Sequence, residues 1–297
     1  MTSRQRLTRE DPGQALSSVV SDRERERIAI RKAQARQRVL IATVSSVLVL
    51  GTLAIVIVAS PGWKVVKATF FDVSYGHQVL HLVVRGLLTN LQLTVIASIA
   101  IGICAMALAL ARTSQSAAMT PFRILATVYV DVFRGIPLLL VIFLIGFGVP
   151  ALRIAGVTSN VTVLGTVAVI VTYSAYVAEV LRSGILSVHP SQRAAARSLG
   201  LSQAQTLRHV VLPQALKRVV PPLLNDLVAL LKDTGLVSIL GVTDAIRAAQ
   251  IEGSRTFNYT PYVVAAILFL LITVPLTRYT DHVLARSISR QNAQGSV

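Results

Sequence analysis

A run of about 22 residues without a charged side chain, Val39–Ser60, constrains this sequence more than any other feature. An α-helix of about 20 apolar residues is long enough to cross the hydrocarbon core of a bilayer. Pro61 and Gly62 follow the run directly and predict its end. The run therefore predicts a transmembrane helix, and the chain's mean hydropathy of +0.65 favours further spans.

Further apolar stretches predict spans of the same kind. They are Leu87–Ala111, Pro121–Val149, Val161–Ala178, Val219–Leu240 and Pro261–Leu276. Residues 61–85 are mixed in polarity, so we expect them to form an extracytoplasmic connector after the first span (39–60), with Trp63 as an interface anchor. The expected fold class is all-α, a polytopic integral membrane protein with about six transmembrane helices.

The distribution of basic residues predicts the orientation. With the N-terminus in the cytoplasm, the cytoplasmic segments carry 21 Lys and Arg residues and the opposite side carries six. The positive-inside rule therefore places both termini in the cytoplasm. Residues 1–38 form a basic N-terminal arm with ten basic and five acidic residues. Its charged part, residues 21–38, predicts a solvated helix or, alternatively, a helix that docks on a membrane surface or a partner.

Composition and motifs exclude several function classes. The net charge of +16 is compatible with nucleic-acid binding, but the 5% aromatic content argues against a surface that stacks on bases. One cysteine, Cys104, excludes a disulfide framework and a multi-cysteine metal site. His77 and His81 are four residues apart without an HExxH pattern, so no metal site is expected. The chain has no GxxxxGK[ST] phosphate loop, so we expect it neither to hydrolyse ATP nor to bind a cofactor.

The segment between the fourth and fifth predicted spans, residues 182–218, is too long for a simple connection. Pro190 suits the first position of a helix, and Gly200 suits a left-handed cap at its end. Ser202 and Gln205 then have the spacing of a capping box, and we expect the second helix to end at Pro213.

This segment carries six basic residues and no acidic residue. Arg193, Arg197 and Arg208 are available for contact. A structured basic protrusion favours docking into a groove of another protein, and an alternative is attraction to anionic lipid.

Charged residues inside the predicted spans are candidates for the substrate pathway, because a charge in the bilayer normally faces protein or water. Glu179 and Arg182 are three residues apart and can form a structural pair, or Glu179 can face the ammonium group of a substrate. Asn225 and Asp226 follow two prolines that can free carbonyls to line a cavity. Lys232 and Asp233 are adjacent, so each needs a partner on another helix.

The sequence Arg134-Gly135-Ile136-Pro137 interrupts the third predicted span. Arg134 can snorkel to the membrane boundary, or Arg134, Gly135 and Pro137 can serve gating or interface packing.

The stretch SVHPSQRAAARSLGLSQAQTLRHVVLPQALKRVVPPLLNDLVALLKDTGLVSILGV resembles the coupling-loop region of ABC importer permeases, and more narrowly their polar amino acid branch. The segments GLLTNLQLT (86–94), VYVDVFRGIP (128–137) and YSAYVAEVLRSGI (173–185) resemble that branch as well. The resemblance covers about residues 86–282 and leaves out the N-terminal arm and the first span.

Several positions depart from the family pattern. Ala194 replaces the glutamate of the EAA motif, which leaves Ala194, Ala195 and Ala196 in sequence, and Ser191 replaces a glycine. Ile136 and Gly235 replace a threonine and a serine, whereas the motif glycine is kept as Gly200.

The resemblance implies a permease domain (86–282) with a cytoplasmic coupling loop (187–215), followed by a cytoplasmic tail (283–297). It implies an importer for a polar amino acid in the prokaryotic inner membrane. Its partners would be an ATPase dimer that binds ATP and Mg²⁺, a second permease as homodimer or heterodimer, and an extracytoplasmic solute-binding protein. The loop residues implied are Ser191, Arg193, Ala194, Ala195, Ala196, Arg197, Gly200, Leu201 and Pro213.

Two other classes remain open at this point. A self-contained secondary transporter or channel needs no ATPase, but the sequence shows no convincing inverted repeat. An intramembrane enzyme needs a cluster of catalytic residues, and none is visible.

Overall fold

The computed structural model describes residues 22–114 and 116–294. The chain divides into two compact units, residues 1–65 and residues 66–297. The first unit contains α1 (Asp22–Ala59), a helix of 38 residues that holds most of the predicted first span. Its apolar part has a mean hydropathy of 2.6 and no buried residue, as expected for side chains that face lipid. Residues 1–21 of the basic arm lie outside the described residues.

The rest of the described chain consists of helices and turns without a β-strand, which confirms the all-α fold class. The helices are α2 (Trp63–Phe70), α3 (Val73–Thr113), α4 (Thr120–Gly135), α5 (Leu138–Phe143), α6 (Val149–Ala151), α7 (Val161–Leu186), α8 (Pro190–Ser198), α9 (Gln203–Thr206), α10 (Leu212–Asp233), α11 (Ala245–Thr256) and α12 (Thr260–Gln294). Turns of 3-10 helix at Ala117–Met119 and Thr234–Leu240 and π-helical turns at Leu144–Gly148 and Leu207–Val211 complete the chain path.

Small side chains fill the interface at the centre of the second unit. The buried residues there include Ala97, Ile101, Ala105 and Ala109 of α3 and Ala168, Ala175 and Ala178 of α7. Small residues let helix backbones approach closely, which is how helices associate where lipid removes the hydrophobic driving force. Helix α10 packs on the same core through Ala215, Val219 and Leu230.

The helix of the second predicted span begins at Val73 instead of Leu87. Asp72 caps it by accepting a hydrogen bond from the Tyr75 N–H at 3.0 Å. Val83, in the additional turns, is buried in a small cluster with Ala245 and Ala249 of α11 and Ala265 of α12, and Val79 is buried as well. Residues 73–85 of the expected connector are therefore part of a helix of 41 residues.

The predicted interruption of the third span is confirmed as a sharp bend. Helices α4 and α5 meet at an angle of 105° across Ile136 and Pro137. Ile136 is extended because a residue before proline avoids the helical region, and Pro137 has no N–H to continue the hydrogen-bond ladder.

Four described helices are long and apolar enough to span a membrane, or five if the bent pair counts as one span. The predicted fifth span, residues 219–240, falls on α10 and the following 3-10 turn and is not among them.

A buried polar network joins α3 to the segment before α11. The side-chain amide of Asn90 donates to Asp244 Oδ2 at 3.0 Å and to Thr234 Oγ1 at 3.3 Å. Its carbonyl oxygen accepts from the Ala245 N–H at 3.1 Å. One turn earlier, a Cβ on Gly86 would lie 2.4 Å from the backbone of Asp244, so only glycine allows this approach. The network explains why Gly86 and Asn90 belong to one local motif.

Candidate functional site: the basic loop and the cavity beside it

The first helix of the loop, α8, begins and ends as local sequence rules require. His189 accepts a hydrogen bond from the Ser191 N–H at 3.2 Å, and Pro190 occupies the first turn. At the other end Gly200 has φ +84°, its N–H donates to Arg197 O, and the Leu201 N–H donates to Ala196 O. These two hydrogen bonds form a Schellman motif, in which a left-handed residue ends the helix. Gly200 thus serves as the predicted cap.

The second part of the loop begins at the predicted capping box. Ser202 Oγ accepts from the Gln205 N–H at 3.2 Å, and Gln205 Oε1 accepts from the Ser202 N–H at 2.8 Å. The prediction that this helix ends at Pro213 is wrong. A π-helical turn, Leu207–Val211, precedes Pro213, which then occupies the first turn of α10. Proline is tolerated there because its missing N–H needs no partner in a first turn.

Two arginines tie the loop to the helices on either side of it. Arg193 Nη2 donates to the carbonyl of Ile185, near the end of α7, at 2.6 Å. Arg218 of α10 donates to the carbonyl of Ser187 and, at 3.1 Å, to its hydroxyl. The loop, α7 and α10 are therefore linked by charge-assisted hydrogen bonds.

The structure separates the loop residues into an exposed and a buried set. The exposed residues are Ser191, Ala194, Ala195, Arg197, Gly200 and Pro213, together with Arg208 outside the motif. Arg193 and Leu201 are half-buried, and Ala196 is only 4% exposed. Ala196 therefore packs inward, while Ala194 presents a methyl group where the family motif has a carboxylate.

Glu179 lies at the centre of a cluster of arginines from three helices. Its carboxylate is 2.5 Å from Arg182 Nη2, 2.6 Å from Arg112 Nη1 of α3 and 4.0 Å from Arg134 Nη1 of α4. The predicted pairing of Glu179 with Arg182 is present, and Arg112 is a partner that sequence spacing could not indicate. Because both carboxylate oxygens are engaged, the geometry favours a structural role for Glu179.

Arg134 lies at the bend between α4 and α5. Its guanidinium lies 5.9 Å from the centre of the Tyr176 ring, and its carbonyl accepts from the Tyr176 hydroxyl at 3.2 Å. The side chain is 42% exposed, so it combines interface packing with access to the surroundings. Gly135 ends α4 and Pro137 precedes α5, so these two residues form the bend itself.

A cavity of about 450 Å³ lies between α3, α7 and α10. Most of its lining is apolar, but Asp226 contributes a carboxylate whose Oδ2 is buried without a hydrogen-bond partner among the described residues. Tyr173 also lines it and donates to Asp233 at 2.7 Å. Asn225 and Lys232 are exposed. The cavity therefore brings together Asp226 and Tyr173, and an unpaired carboxylate in an apolar cavity favours a cationic ligand group.

Among residues 22–114 and 116–294, no group of three or more His, Cys, Asp or Glu side chains is placed to hold a metal ion. His77 and His81 are exposed on α3, and His81 Nδ1 lies 3.0 Å from the carbonyl of Gln78.

Comparison with known proteins gives one consistent answer. Residues 106–289 match the family of binding-protein-dependent transport system inner membrane components. A putative glutamine transport system permease protein of Rickettsia conorii is 35% identical over 66% of this chain and 88% of its own length. An arginine transport system permease protein of Bacillus subtilis is 32% identical over 66% of this chain and 87% of its own length.

Solved structures agree with the sequence relatives. A crystal structure of an amino acid ABC transporter with histidines covers 72% of this chain and 98% of its own, with a TM-score of 0.66 and 33% identity. A methionine ABC transporter in an inward-facing conformation covers 69% of this chain and 96% of its own, with a TM-score of 0.53; at 20% identity it supports the fold alone.

The chain belongs to the family of binding-protein-dependent transport system inner membrane components. It is a permease component of an ABC importer, a multi-pass protein of the inner membrane whose family works with an ATPase and a binding protein. This confirms the permease interpretation over a self-contained secondary transporter or channel. Its relatives are permease subunits, which are not enzymes themselves.

Proposed function

We propose that this chain forms the translocation pathway for a polar amino acid and receives conformational work from a separate ATPase through residues 187–215. Relatives named for glutamine and arginine transport support the substrate class. The proposed complex contains two permeases, as a homodimer or a heterodimer, an ATPase dimer that binds ATP and Mg²⁺, and an extracytoplasmic binding protein. This chain itself binds no cofactor in the proposal.

The observation that carries this proposal is the attachment of the loop to two core helices. Arg193 ties α8 to Ile185 of α7, and Arg218 of α10 is tied to Ser187. A displacement of the loop is therefore transmitted to α7 and α10. Those two helices line the cavity that contains Asp226. An ATPase that closes on ATP and moves the loop would change the shape of that cavity.

The charge of the exposed loop surface determines which charge the receiving surface of the ATPase must carry. Ala194 supplies no carboxylate, and residues 182–218 contain no acidic side chain. Docking then depends on exposed cations such as Arg197 and Arg208. We propose that the receiving cleft of the ATPase is acidic, because opposite potentials steer association and fix the register of an interface.

The cavity of about 450 Å³ is the proposed substrate pathway. Asp226 would accept a hydrogen bond from the ammonium group or the cationic side chain of the amino acid, because its Oδ2 has no other partner among the described residues. Glu179 is a weaker candidate, since Arg112 and Arg182 already occupy its oxygens.

The orientation follows from the same proposal. If the loop contacts a cytoplasmic ATPase, α7 runs from the extracytoplasmic side to the cytoplasm. With the bent pair α4 and α5 as one span, the N-terminus is then cytoplasmic. The C-terminus is cytoplasmic as well in this proposal because residues 219–240 cross the membrane as the predicted fifth span. Both positions agree with the excess of basic residues on that side.

The proposal is tested by Gly200→Trp in the complete transporter, reconstituted with its ATPase and binding protein. Gly200 has φ +84°, so a bulky side chain strains the cap of α8 and displaces the exposed docking surface. Gly200→Asn is the matched control, because asparagine adopts the left-handed conformation more readily than other residues. We expect the Trp variant to lose uptake and stimulated ATP hydrolysis while the complex still assembles, and the Asn variant to retain both. Full uptake with normal ATPase stimulation in the Trp variant would contradict the proposal.

A further inference from the structure

A second cavity, of about 790 Å³, lies between the end of α3 and the basic loop. Its apolar wall includes Leu110 of α3, Met119 of the following turn and Val211 of the loop. Its polar lining includes Arg193 and Arg197. A cavity of this volume is in the range that holds small organic ligands. It shares no lining residue with the cavity that contains Asp226.

One residue that lines this cavity carries a buried hydroxyl without a hydrogen-bond partner among the described residues. Thr206 lines the cavity and is 5% exposed, and its Oγ1 has no partner among the described residues. Buried hydroxyl groups in native proteins are nearly always hydrogen-bonded, so an unpartnered one requires an explanation. A ligand that accepts or donates a hydrogen bond at this point would satisfy it.

The charge around the cavity defines the sign of that ligand. Arg193 donates one hydrogen bond to the backbone carbonyl of Ile185, and Arg197 donates one to the backbone carbonyl of Leu201. A guanidinium carries five N–H donors, so both retain donors for a further group. No Asp or Glu is among the described residues that line the cavity. Two cations without a carboxylate favour an anion.

We propose that this cavity binds an amphipathic organic anion, with an apolar body and a terminal carboxylate or phosphate. The anionic group would contact Arg197, Arg193 and the Thr206 hydroxyl, and the apolar body would contact Leu110 and Val211. A zwitterionic amino acid fits less well, because its ammonium group would find no carboxylate there. An occupant of this cavity joins the end of α3 to the loop, so it restricts movement of the loop and regulates transport.

The test is isothermal titration of the purified complete transporter with octanoate, and with octylammonium as a probe of the same length and opposite charge. We expect saturable binding of octanoate and none of octylammonium. Arg197→Gln removes one cation and should weaken binding by about tenfold or more, as expected for a charge-assisted hydrogen bond. Thr206→Val should weaken binding by about threefold or more and raise the Tm of the free protein, because it removes an unsatisfied hydroxyl.

Arg208→Gln is the matched control, since Arg208 is an exposed arginine of the same loop and does not line the cavity. Its octanoate affinity should equal that of the unmodified protein. Equal binding of octanoate and octylammonium, equal weakening by Arg208→Gln and Arg197→Gln, or no saturable binding would each overturn the proposal.

A final measurement compares octanoate binding by the transporter in nanodiscs of phosphatidylglycerol and in nanodiscs of phosphatidylcholine. This comparison identifies the source of the anion. Loss of octanoate binding in the anionic lipid alone supports the site and identifies a lipid headgroup as the natural occupant. Unchanged octanoate binding in both lipids supports the site and identifies a free organic acid.

Discussion

Arg193 donates a hydrogen bond of 2.6 Å to the carbonyl of Ile185 and so joins α8 to the end of α7. The two residues are only eight positions apart, yet the contact crosses from the loop to the core of the second unit, where Ile185 is 1% exposed. This hydrogen bond fixes the position of α8 relative to the end of α7. The Arg193–Ile185 hydrogen bond is therefore one of two contacts that link the loop to the core helices, and the other joins Arg218 to Ser187.

The first prediction concerns Arg193→Gln. Glutamine is too short to reach the Ile185 carbonyl, so α8 loses its tie to α7. We expect uptake per ATP hydrolysed to fall by about tenfold, the effect of one lost charge-assisted hydrogen bond. The measurement is substrate uptake and ATP hydrolysis in proteoliposomes. Ser198→Ala, a substitution of an exposed residue on the same helix, is the control and should leave the ratio unchanged. An unchanged ratio in the Arg193 variant would show that the tie carries no coupling.

The second prediction concerns Asp226→Asn. If Asp226 binds the cation of the substrate, its neutral analogue should raise the KM for uptake by about tenfold or more. Asp281→Asn removes an exposed carboxylate of α12 and serves as the matched control. The measurement is the concentration dependence of uptake. A KM that is the same in both variants would show that Asp226 does not bind the substrate.

The third prediction concerns Glu179→Gln, which leaves Arg112, Arg134 and Arg182 close together without their shared carboxylate. We expect a loss of about 1–3 kcal/mol in the free energy of unfolding, less than for a fully buried pair, because the Glu179 side chain is 22% exposed. Arg255→Gln breaks a pair whose arginine is 73% exposed and should cost about 0–1 kcal/mol. Denaturation of the purified protein in detergent measures both. Equal losses would show that the cluster is no stronger than a surface pair.

The fourth prediction concerns the pH dependence of stability at Asp244. Burial raises the pKa of this carboxyl above its usual range, although hydrogen bonds from the Arg247 N–H and the Asn90 amide oppose the shift. The folded protein then holds the proton more tightly than the unfolded chain. The resulting stabilisation is complete below the ordinary pKa of about 3.9 and is lost as the pH rises through the raised folded value.

The measurement for Asp244 is the Tm of the unmodified protein and of Asp244→Asn between pH 4 and pH 8. We expect the Tm difference, unmodified minus variant, to be largest at low pH and to decrease as the pH rises. A difference that increases with pH would contradict the raised pKa.

Local signals in the sequence were sufficient to predict the helix caps of the loop and part of the charge cluster. Gly200, Ser202 and Gln205 act within one or two turns of their own positions, so their caps could be predicted from spacing. The pairing of Glu179 with Arg182 could be predicted for the same reason. Arg112 is 67 residues away from Glu179, and only the packing of α3 on α7 brings them together.

Other features depended on tertiary structure. The start of α3 is stabilised by contacts such as the hydrogen bonds from the Tyr75 hydroxyl to Glu252 of α11 and from the Asp72 N–H to Thr260 of α12, which the pattern of residues 61–85 does not reveal. The contact of Asn90 with Asp244 joins residues 154 positions apart. Pro213 was predicted to end a helix, but a π-helical turn places it in a first turn, where proline is tolerated. Six spans were expected. Among residues 22–114 and 116–294, four helices, or five with the bent pair as one span, have the length and polarity of a span, and α10, which carries five charged residues, is not among them.

Cross-linking from Ala194, which is exposed on α8, tests whether the loop docks on the ATPase subunit. Cys104 is the one cysteine of the chain, so Cys104→Ser with Ala194→Cys gives a single thiol for a benzophenone maleimide in the complete transporter. Gln250→Cys, at an exposed position on α11, is the matched control. We expect a cross-link from position 194 to the ATPase subunit and none from position 250. Cross-links from position 194 to lipid alone, with no ATPase adduct, would contradict it.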